Sequence, residues 1–390
     1  MMKEKTRSIS VYVHFPYCIR KCRYCDFVSF PCGVDSKYPV DMCDYFVREV
    51  DAWCRNLPIA GRVVKSIYFG GGTPSLMHPE WVERIIMKIC EKFSVSNDVE
   101  ITLEVNPATV NENKISDFRL AGVNRISLGM QSLSDEQLQF LGRVHNVVQA
   151  METLGYVCKY FNNVSCDFIY AIPNQTLNEW QEELEKIVAL GVPHLSLYQL
   201  IIEHGTPLYR QVNKGTVFPV SEIVAEKMFR WTNKRMAKVC PQYEVSNYAV
   251  NNDMQSKHNI NYWVGGDYIG IGVCAAGRIY DIDGGKLWQS ENPKTVDKWC
   301  SMIKDGCVSA KSISKHVRAK ELLIMGLRQV CGINFSVFKE NCGVDFQKVV
   351  DMKMVNRLIE AKMLVLNKNG IRVTRNGMNV LDAILREIVV

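Results

Sequence analysis

The sequence has no apolar run near the roughly 18 residues that a membrane helix needs. Its first eight residues, Met1 to Ser8, lack the apolar core of a signal peptide. Repeats and low-complexity segments are absent. So is a strong charge of either sign: the formal net charge is +6 over 390 residues. That balance demands neither a nucleic acid nor a membrane surface as partner. There is also no disulfide framework. The cysteines number 15, an odd count, and most are scattered, which fits a reducing compartment. These absences lead to the expectation of a soluble cytoplasmic protein. The 47% apolar and 23% charged content suits a packed globular chain, long enough for one large domain and a smaller one.

Three cysteines stand out from the scatter. Cys18, Cys22 and Cys25 follow one another as C-x3-C-x2-C. Cysteine thiolates are the usual ligands of iron–sulfur clusters. Three local cysteines leave one iron of a four-iron cubane without a protein ligand, and an open iron can bind a small molecule. Arg20, Lys21 and Arg23 in the same loop would offset the charge of a thiolate-bound cluster. The alternatives are three plain thiols or a zinc site. A structural zinc site needs four ligands, and no nearby Cys or His completes one at the usual spacing.

Around this loop the chain alternates strand and helix. Residues 9 to 15 are β-branched and aromatic and read as a buried strand stopped by Pro16. Further strands are expected at 63–69, 100–105, 125–130, 164–170 and 194–200. Helical patterns lie near 39–56, 79–93, 111–121 and 177–190, with two short helices before the fifth strand. Strands apolar on both faces call for a parallel sheet covered by helices. A barrel is favoured over an open sheet by where the unusual residues fall. The cysteines, Gly70-Gly-Gly-Thr-Pro74, Glu104, Gln131, Asp167 and Gln199 all lie at or just after strand carboxyl ends, which converge on one mouth in a barrel. The expected fold is α/β, an incomplete and laterally open (β/α)6 TIM-like barrel.

Residues 205–255 are less regular, with a helix near 221–239, and Gly265 to Gly272 is a glycine-rich run. Residues 1–305 are assigned to the core domain with its extension, and 306–390 to a second domain. There, helices are expected at 315–329, 335–341, 346–360 and 376–388. Leu364–Leu366 and Ile371–Val373 flank Asn367-Lys-Asn-Gly370, a hairpin signal. This order is winged-helix-like. A packing role is favoured over DNA binding, since the candidate recognition helix carries no clear basic stripe.

The cysteine spacing, with a glycine-rich turn after the second strand, resembles the radical S-adenosylmethionine (SAM) superfamily. Most of the chain is similar to the branch that holds oxygen-independent coproporphyrinogen III oxidases and haem chaperones of the HemW type. The resemblance implies a [4Fe–4S] cluster on Cys18, Cys22 and Cys25 whose open iron binds the amino and carboxylate groups of SAM. It also implies SAM contacts from Tyr12, Tyr24, Gly71, Gly72, Thr73, Glu104, Gln131, Arg143 and Asp167. The chemistry agrees: Arg143 can pair with a carboxylate, Glu104 and Asp167 can accept from ribose hydroxyls or an ammonium, and glycines let a backbone approach closely.

Two features separate chaperone from oxidase within that branch. The oxidases carry a fourth cysteine two residues after the third, where this chain has Phe27. They also carry an N-terminal extension, whereas 17 residues precede Cys18 here. His258-Asn259-Ile-Asn-Tyr262-Trp263 matches a motif linked in HemW proteins to haem. His258 is therefore a candidate haem ligand, with Tyr262 and Trp263 against the porphyrin; the alternative is a core histidine at a domain seam. One departure is Ala276, which stands where the family has a histidine. Cys274 is either a substitute ligand or, preferably, a small buried residue. The leading expectation is a haem chaperone that binds a [4Fe–4S] cluster with SAM and delivers haem to acceptor haemoproteins, with room for acceptors at a membrane and for a homodimer. The alternative is coproporphyrinogen III oxidase chemistry. A nucleic-acid partner is not expected.

Overall fold

The computed structural model describes residues 7–33, 41–281 and 284–390. Six strands appear at the six apolar runs that alternate with helical patterns. They are β1 (Ser8–Phe15), β2 (Val63–Gly71), β3 (Ser94–Val105), β4 (Arg125–Gln131), β5 (Asn163–Tyr170) and β6 (His194–Gln199). Each pairs in parallel with the next. Helices α1 (Met42–Asn56), α2 (Pro79–Lys92), α3 (Glu112–Leu120), α4 (Asp135–Leu141), α5 (Val147–Tyr160) and α6 (Leu177–Ala189) connect them. The start of the first expected helix, residues 39 and 40, lies outside the described residues. Short helix α7 (Pro207–Asn213) and helix α8 (Glu222–Met236) follow β6.

The sheet goes further than six units. Strand β7 (Asn247–Ala249) pairs antiparallel with β6 at one end. Helix α9 (Lys257–Trp263) then leads to β8 (Asp267–Gly272), which pairs in parallel with β1 at the other side. Antiparallel strands β9 (Ala276–Asp281), β10 (Lys286–Glu291) and β11 (Ala310–Ile313) extend that edge. The result is one 11-stranded mixed sheet whose two end strands, β11 and β7, are not paired with each other, so the barrel is open laterally.

The glycine-rich run is thus a strand. A Cβ on Gly270 would meet the Ala276 carbonyl oxygen at 2.2 Å. Glycine here permits the close crossing of β8 and β9 despite its low strand propensity. Helix α10 (Val296–Lys304) covers the extension, and Trp299 and Ile303 join the main core. The expected break after residue 305 falls ahead of β11, which still belongs to the large sheet.

A second core spans Ala319 to Ile388. It is built from α11 (Lys315–Gly326), α12 (Phe335–Cys342), α13 (Met352–Glu360), α14 (Arg375–Met378) and α15 (Leu381–Ile388), with a three-stranded sheet of β12 (Ile333–Asn334), β13 (Leu364–Asn367) and β14 (Gly370–Val373). The hairpin closes at Asn367 and Gly370, where the Asn367 side chain accepts from the Asn369 and Gly370 amides. Two expected helices are interrupted. The 346–360 pattern breaks at Val350, which bridges to Val389, and Asp351 then caps α13 by accepting from Lys353 and Met354 amides. The 376–388 pattern is divided into α14 and α15.

Candidate functional site

The carboxyl ends of the parallel strands enclose a cavity of about 450 Å³, within the ordinary range for small-molecule sites. Cys18, Cys22 and Cys25 line its outer rim. Pro16 ends β1, and the loop that follows is closed by two short strand segments, Tyr17–Cys18 beside Phe30–Pro31. Opposite stands the turn after α4. Gly142 takes the left-handed φ of +81° that a helix terminus favours. Its carbonyl accepts from Arg20 at 3.0 Å, and the Arg23 amide donates to the Leu141 carbonyl at 3.1 Å. The cysteine loop is therefore seated on Leu141–Arg143.

Arg143 joins the two halves of the site. One terminal nitrogen lies 3.6 Å from Cys22 Sγ, and the other donates to the Gly129 carbonyl at 3.0 Å. Its Nε is buried with no partner among the described residues. A buried orphan donor is costly, and a ligand oxygen would satisfy it. Burial pushes the Cys25 thiol up to about 11 and raises Cys18 as well, so these thiols are neutral in the protein alone. Bound metal would displace those protons. Among the described residues no three His, Cys, Asp or Glu side chains are gathered as one ion would require.

The cavity wall carries the remaining polar groups. A Cβ on Gly72 would meet the Tyr17 carbonyl oxygen at 2.5 Å, and Gly71 has φ of +111°, so this turn can press against the cysteine loop only as glycine. Glu104 at the end of β3 accepts from the Tyr68 hydroxyl at 2.9 Å, and burial pushes its carboxyl up to about 7. Asp167 accepts from Ser127 at 2.8 Å and Ser165 at 3.2 Å, and burial raises it too. Gln131 holds a non-glycine φ of +70° at a register shift between β4 and β5. Backbone in that region is strained, and such residues cluster at ligand sites. Tyr24 packs in a small apolar group with Leu141, Ile169 and Leu200.

Eleven of the thirteen residues singled out from sequence line this one cavity: the three cysteines, Tyr24, Gly71, Gly72, Thr73, Glu104, Gln131, Arg143 and Asp167. Tyr12 does not. Its hydroxyl turns to His14 Nδ1 at 3.1 Å, and its ring lies beside Tyr68. His258 is the other exception. It is 1% exposed, with Nδ1 3.0 Å from Ser66 Oγ and Nε2 2.9 Å from the Tyr262 hydroxyl. Burial lowers it to about 3. Both ring nitrogens are thus engaged within the fold, which is the arrangement of the alternative reading, a core histidine. Cys274 is half-buried in a left-handed turn, and Ala276 opens β9.

Tyr68, Arg125, Ser127, Ser196 and Tyr198 also line the cavity and were not anticipated. Strand parity could have pointed to them, since Arg125, Ser127 and Gly129 alternate along β4.

The radical SAM superfamily pattern matches residues 12–187, and the HemN C-terminal domain matches 313–380. The Escherichia coli protein named heme chaperone HemW is 37% identical over 72% of this chain and 72% of its own. The Haemophilus influenzae HemW is 30% identical over 98% of both. The chain belongs to the HemW family of radical SAM proteins. The Dictyostelium discoideum relative, named radical S-adenosyl methionine domain-containing protein 1, mitochondrial, is 35% identical over 99% of this chain and 95% of its own. In fold, the HemW-family chain is similar to E. coli coproporphyrinogen III oxidase HemN: TM-score 0.79, 20% identity, covering 97% of this chain and 89% of that one. Membership in the superfamily implies a [4Fe–4S] cluster and SAM, and the cavity's three thiols, guanidinium and two buried carboxylates fit both. Among the described residues no helix is long and apolar enough to cross a membrane.

Proposed function

We propose that this protein is a haem chaperone: it holds a [4Fe–4S] cluster on Cys18, Cys22 and Cys25, binds SAM in the barrel cavity, and passes haem to acceptor haemoproteins. The observation that carries the reading is the similarity to HemW proteins along nearly the whole chain, C-terminal domain included. Phe27 in place of the oxidases' fourth cysteine supports it. The cluster, when bound, supplies an open iron and an electron. The chain's own residues do the rest. Arg143 offers its orphan Nε to the SAM carboxylate, while Glu104 and Asp167 offer anionic oxygens to its hydroxyl and ammonium groups. The Gly71–Thr73 turn sets the ligand close to the cysteine loop. We place the protein in the cytoplasm, with acceptors that include membrane-bound haemoproteins and with a homodimer as one working form.

The second reading, coproporphyrinogen III oxidase, is favoured by the fold shared with HemN. One experiment separates them. The reconstituted protein, given SAM, a reductant and coproporphyrinogen III, is expected to make no protoporphyrinogen, and titration with haem is expected to give a saturable Soret band. Product at a catalytic rate replaces the chaperone reading with the oxidase one.

A further inference from the structure

We propose that haem sits on the rim of the barrel mouth, over Phe27, Tyr198 and Ile201, with His204 as its ligand to iron. This rests on the haem-chaperone reading and names the seat.

The argument begins with the histidines. Four of the seven have both ring nitrogens hydrogen-bonded inside the fold. His14 meets Tyr12 and the Val28 carbonyl, and His145 meets Asn106 and the Met130 carbonyl. His194 meets Ser165 and Tyr243, and His258 meets Ser66 and Tyr262. Iron could reach none of them without breaking a hydrogen bond inside the fold and leaving its partner unsatisfied. His78, His204 and His316 make no such bond among the described residues. None of the three lines the cavity itself, but His204 follows Ile201 and Glu203, which do, and so lies beside the mouth. Its ring rests against Tyr209, with centroids 4.8 Å apart, which fixes the imidazole and leaves its nitrogens exposed.

The loop that carries His204, between β6 and α7, is packed on the cysteine loop. Leu200 shares an apolar cluster with Tyr24, and the Leu208 amide donates to the Arg23 carbonyl at 2.9 Å. The rim so formed exposes large apolar side chains: Ile201 is 65% exposed, Phe27 57% and Tyr198 41%. All three line the same cavity. Exposed apolar surface concentrated at a cavity mouth marks a ligand site, and a flat macrocycle would cover it.

Haem also brings two carboxylates. Arg20 and Lys21 at this rim are spent on carbonyl oxygens, of Gly142, Arg143 and Phe27. Neither pairs with a carboxylate among the described residues, so beyond the cluster no acidic side chain competes for them. Arg23 adds a third cation, set over the Phe140 ring. The acids nearest this rim are Asp26 and Glu203.

The test uses the full chain with its cluster reconstituted, titrated with haem and followed by absorbance and resonance Raman spectroscopy. Iron and sulfide content reports folding of each variant. His204→Ala is expected to lose the histidine–iron signature and to weaken haem by about tenfold or more, the lower end of what metal-site losses cost. Added imidazole is expected to restore the signature in His204→Gly. Ile201→Ser is expected to weaken haem while keeping the signature, as a platform residue would. If folded His204→Ala keeps the wild-type spectrum and affinity, the mouth seat is wrong and the chaperone reading survives. If the wild-type protein takes up no haem at all, both fall together.

Discussion

The barrel mouth and helix α9 both carry family motifs, but they treat their polar groups in opposite ways. At the mouth, Arg143 Nε has no partner among the described residues, Glu104 is buried with a raised pKa, and Gln131 holds a strained backbone. At α9 the hydrogen bonds around His258 close on one another, while Trp263 Nε1 is buried with no partner among the described residues. His258 is locked by Ser66 and Tyr262, Ser66 donates to Ser10, and the Glu100 carboxylate accepts from the Lys257 and His258 amides. The far end is held by the second domain, where Arg318 donates to the Gly265 carbonyl and Asn341 to that of Val264. Incomplete bonding and strain indicate a place kept for a ligand, whereas completed bonding indicates architecture. On this contrast the mouth has the bonding of a ligand site and His258 that of a brace.

The largest expected effect breaks the mouth. Cys22→Ala should abolish the cluster after anaerobic reconstitution, removing its thiolate-to-iron absorbance. Normal iron and sulfide content in that variant would remove the cluster from this loop.

The next effect tests the brace. His258→Ala strands Ser66 and Tyr262 inside the barrel, and its cost should be roughly 2–4 kcal/mol of stability from unsatisfied groups and a cavity. Urea unfolding of the cluster-free protein measures it, with His204→Ala as the companion. A stable His258→Ala, or a destabilised His204→Ala, would reverse the assignment of the two regions.

Arg143→Ala removes a charge-assisted bond to the ligand carboxylate, worth roughly 1.5–3 kcal/mol. Calorimetry on cluster-loaded protein should show SAM weakened accordingly. Unchanged affinity would mean that the guanidinium serves only Cys22 and Gly129.

A smaller effect depends on pH. Burial holds the Glu104 carboxyl at about 7, above the ordinary value. The folded state therefore keeps this proton after the unfolded chain has lost it. The group's contribution to stability falls as pH rises from the ordinary carboxylate range to about 7, and is flat beyond. Ligand binding has the opposite sign, because the ionised form is the better acceptor. SAM affinity should rise as pH increases through about 7 and lose that step in Glu104→Gln. A step of equal size in the variant would transfer it to another group, such as Asp167.

Legibility in the sequence followed the same contrast. Strands β1 to β3 were readable because β-branched runs end at glycine or proline signals, and β4 to β6 as short apolar runs between helical patterns. Strand β8 was not, since its glycines are required by a crossing with β9 that only the fold creates. At the site, residues just past strand ends could be found from order and spacing. Tyr68 and Arg125 needed strand parity as well, because their relation to the cavity depends on which strand face turns inward. The state of His258 was equally hidden: Ser66 and Glu100 belong to different strands and Tyr262 to the helix itself.

The smallest effect concerns Cys32, which shares the loop with the triad but lies outside its spacing. Its Sγ is 3.3 Å from the Cys18 carbonyl oxygen and 3.6 Å from that of Gly33, and its amide donates to Cys18 at 2.9 Å. It is absent from the cavity lining that contains the other three cysteines. The thiol therefore ties the loop's exit to its entrance and does not face the cluster position. Serine can make the same contacts with a stronger donor, so Cys32→Ser should retain full iron and sulfide content and unaltered SAM affinity. A loss of iron in that variant, with Cys22→Ala still binding some, would mean that the loop rearranges to present a different set of thiolates.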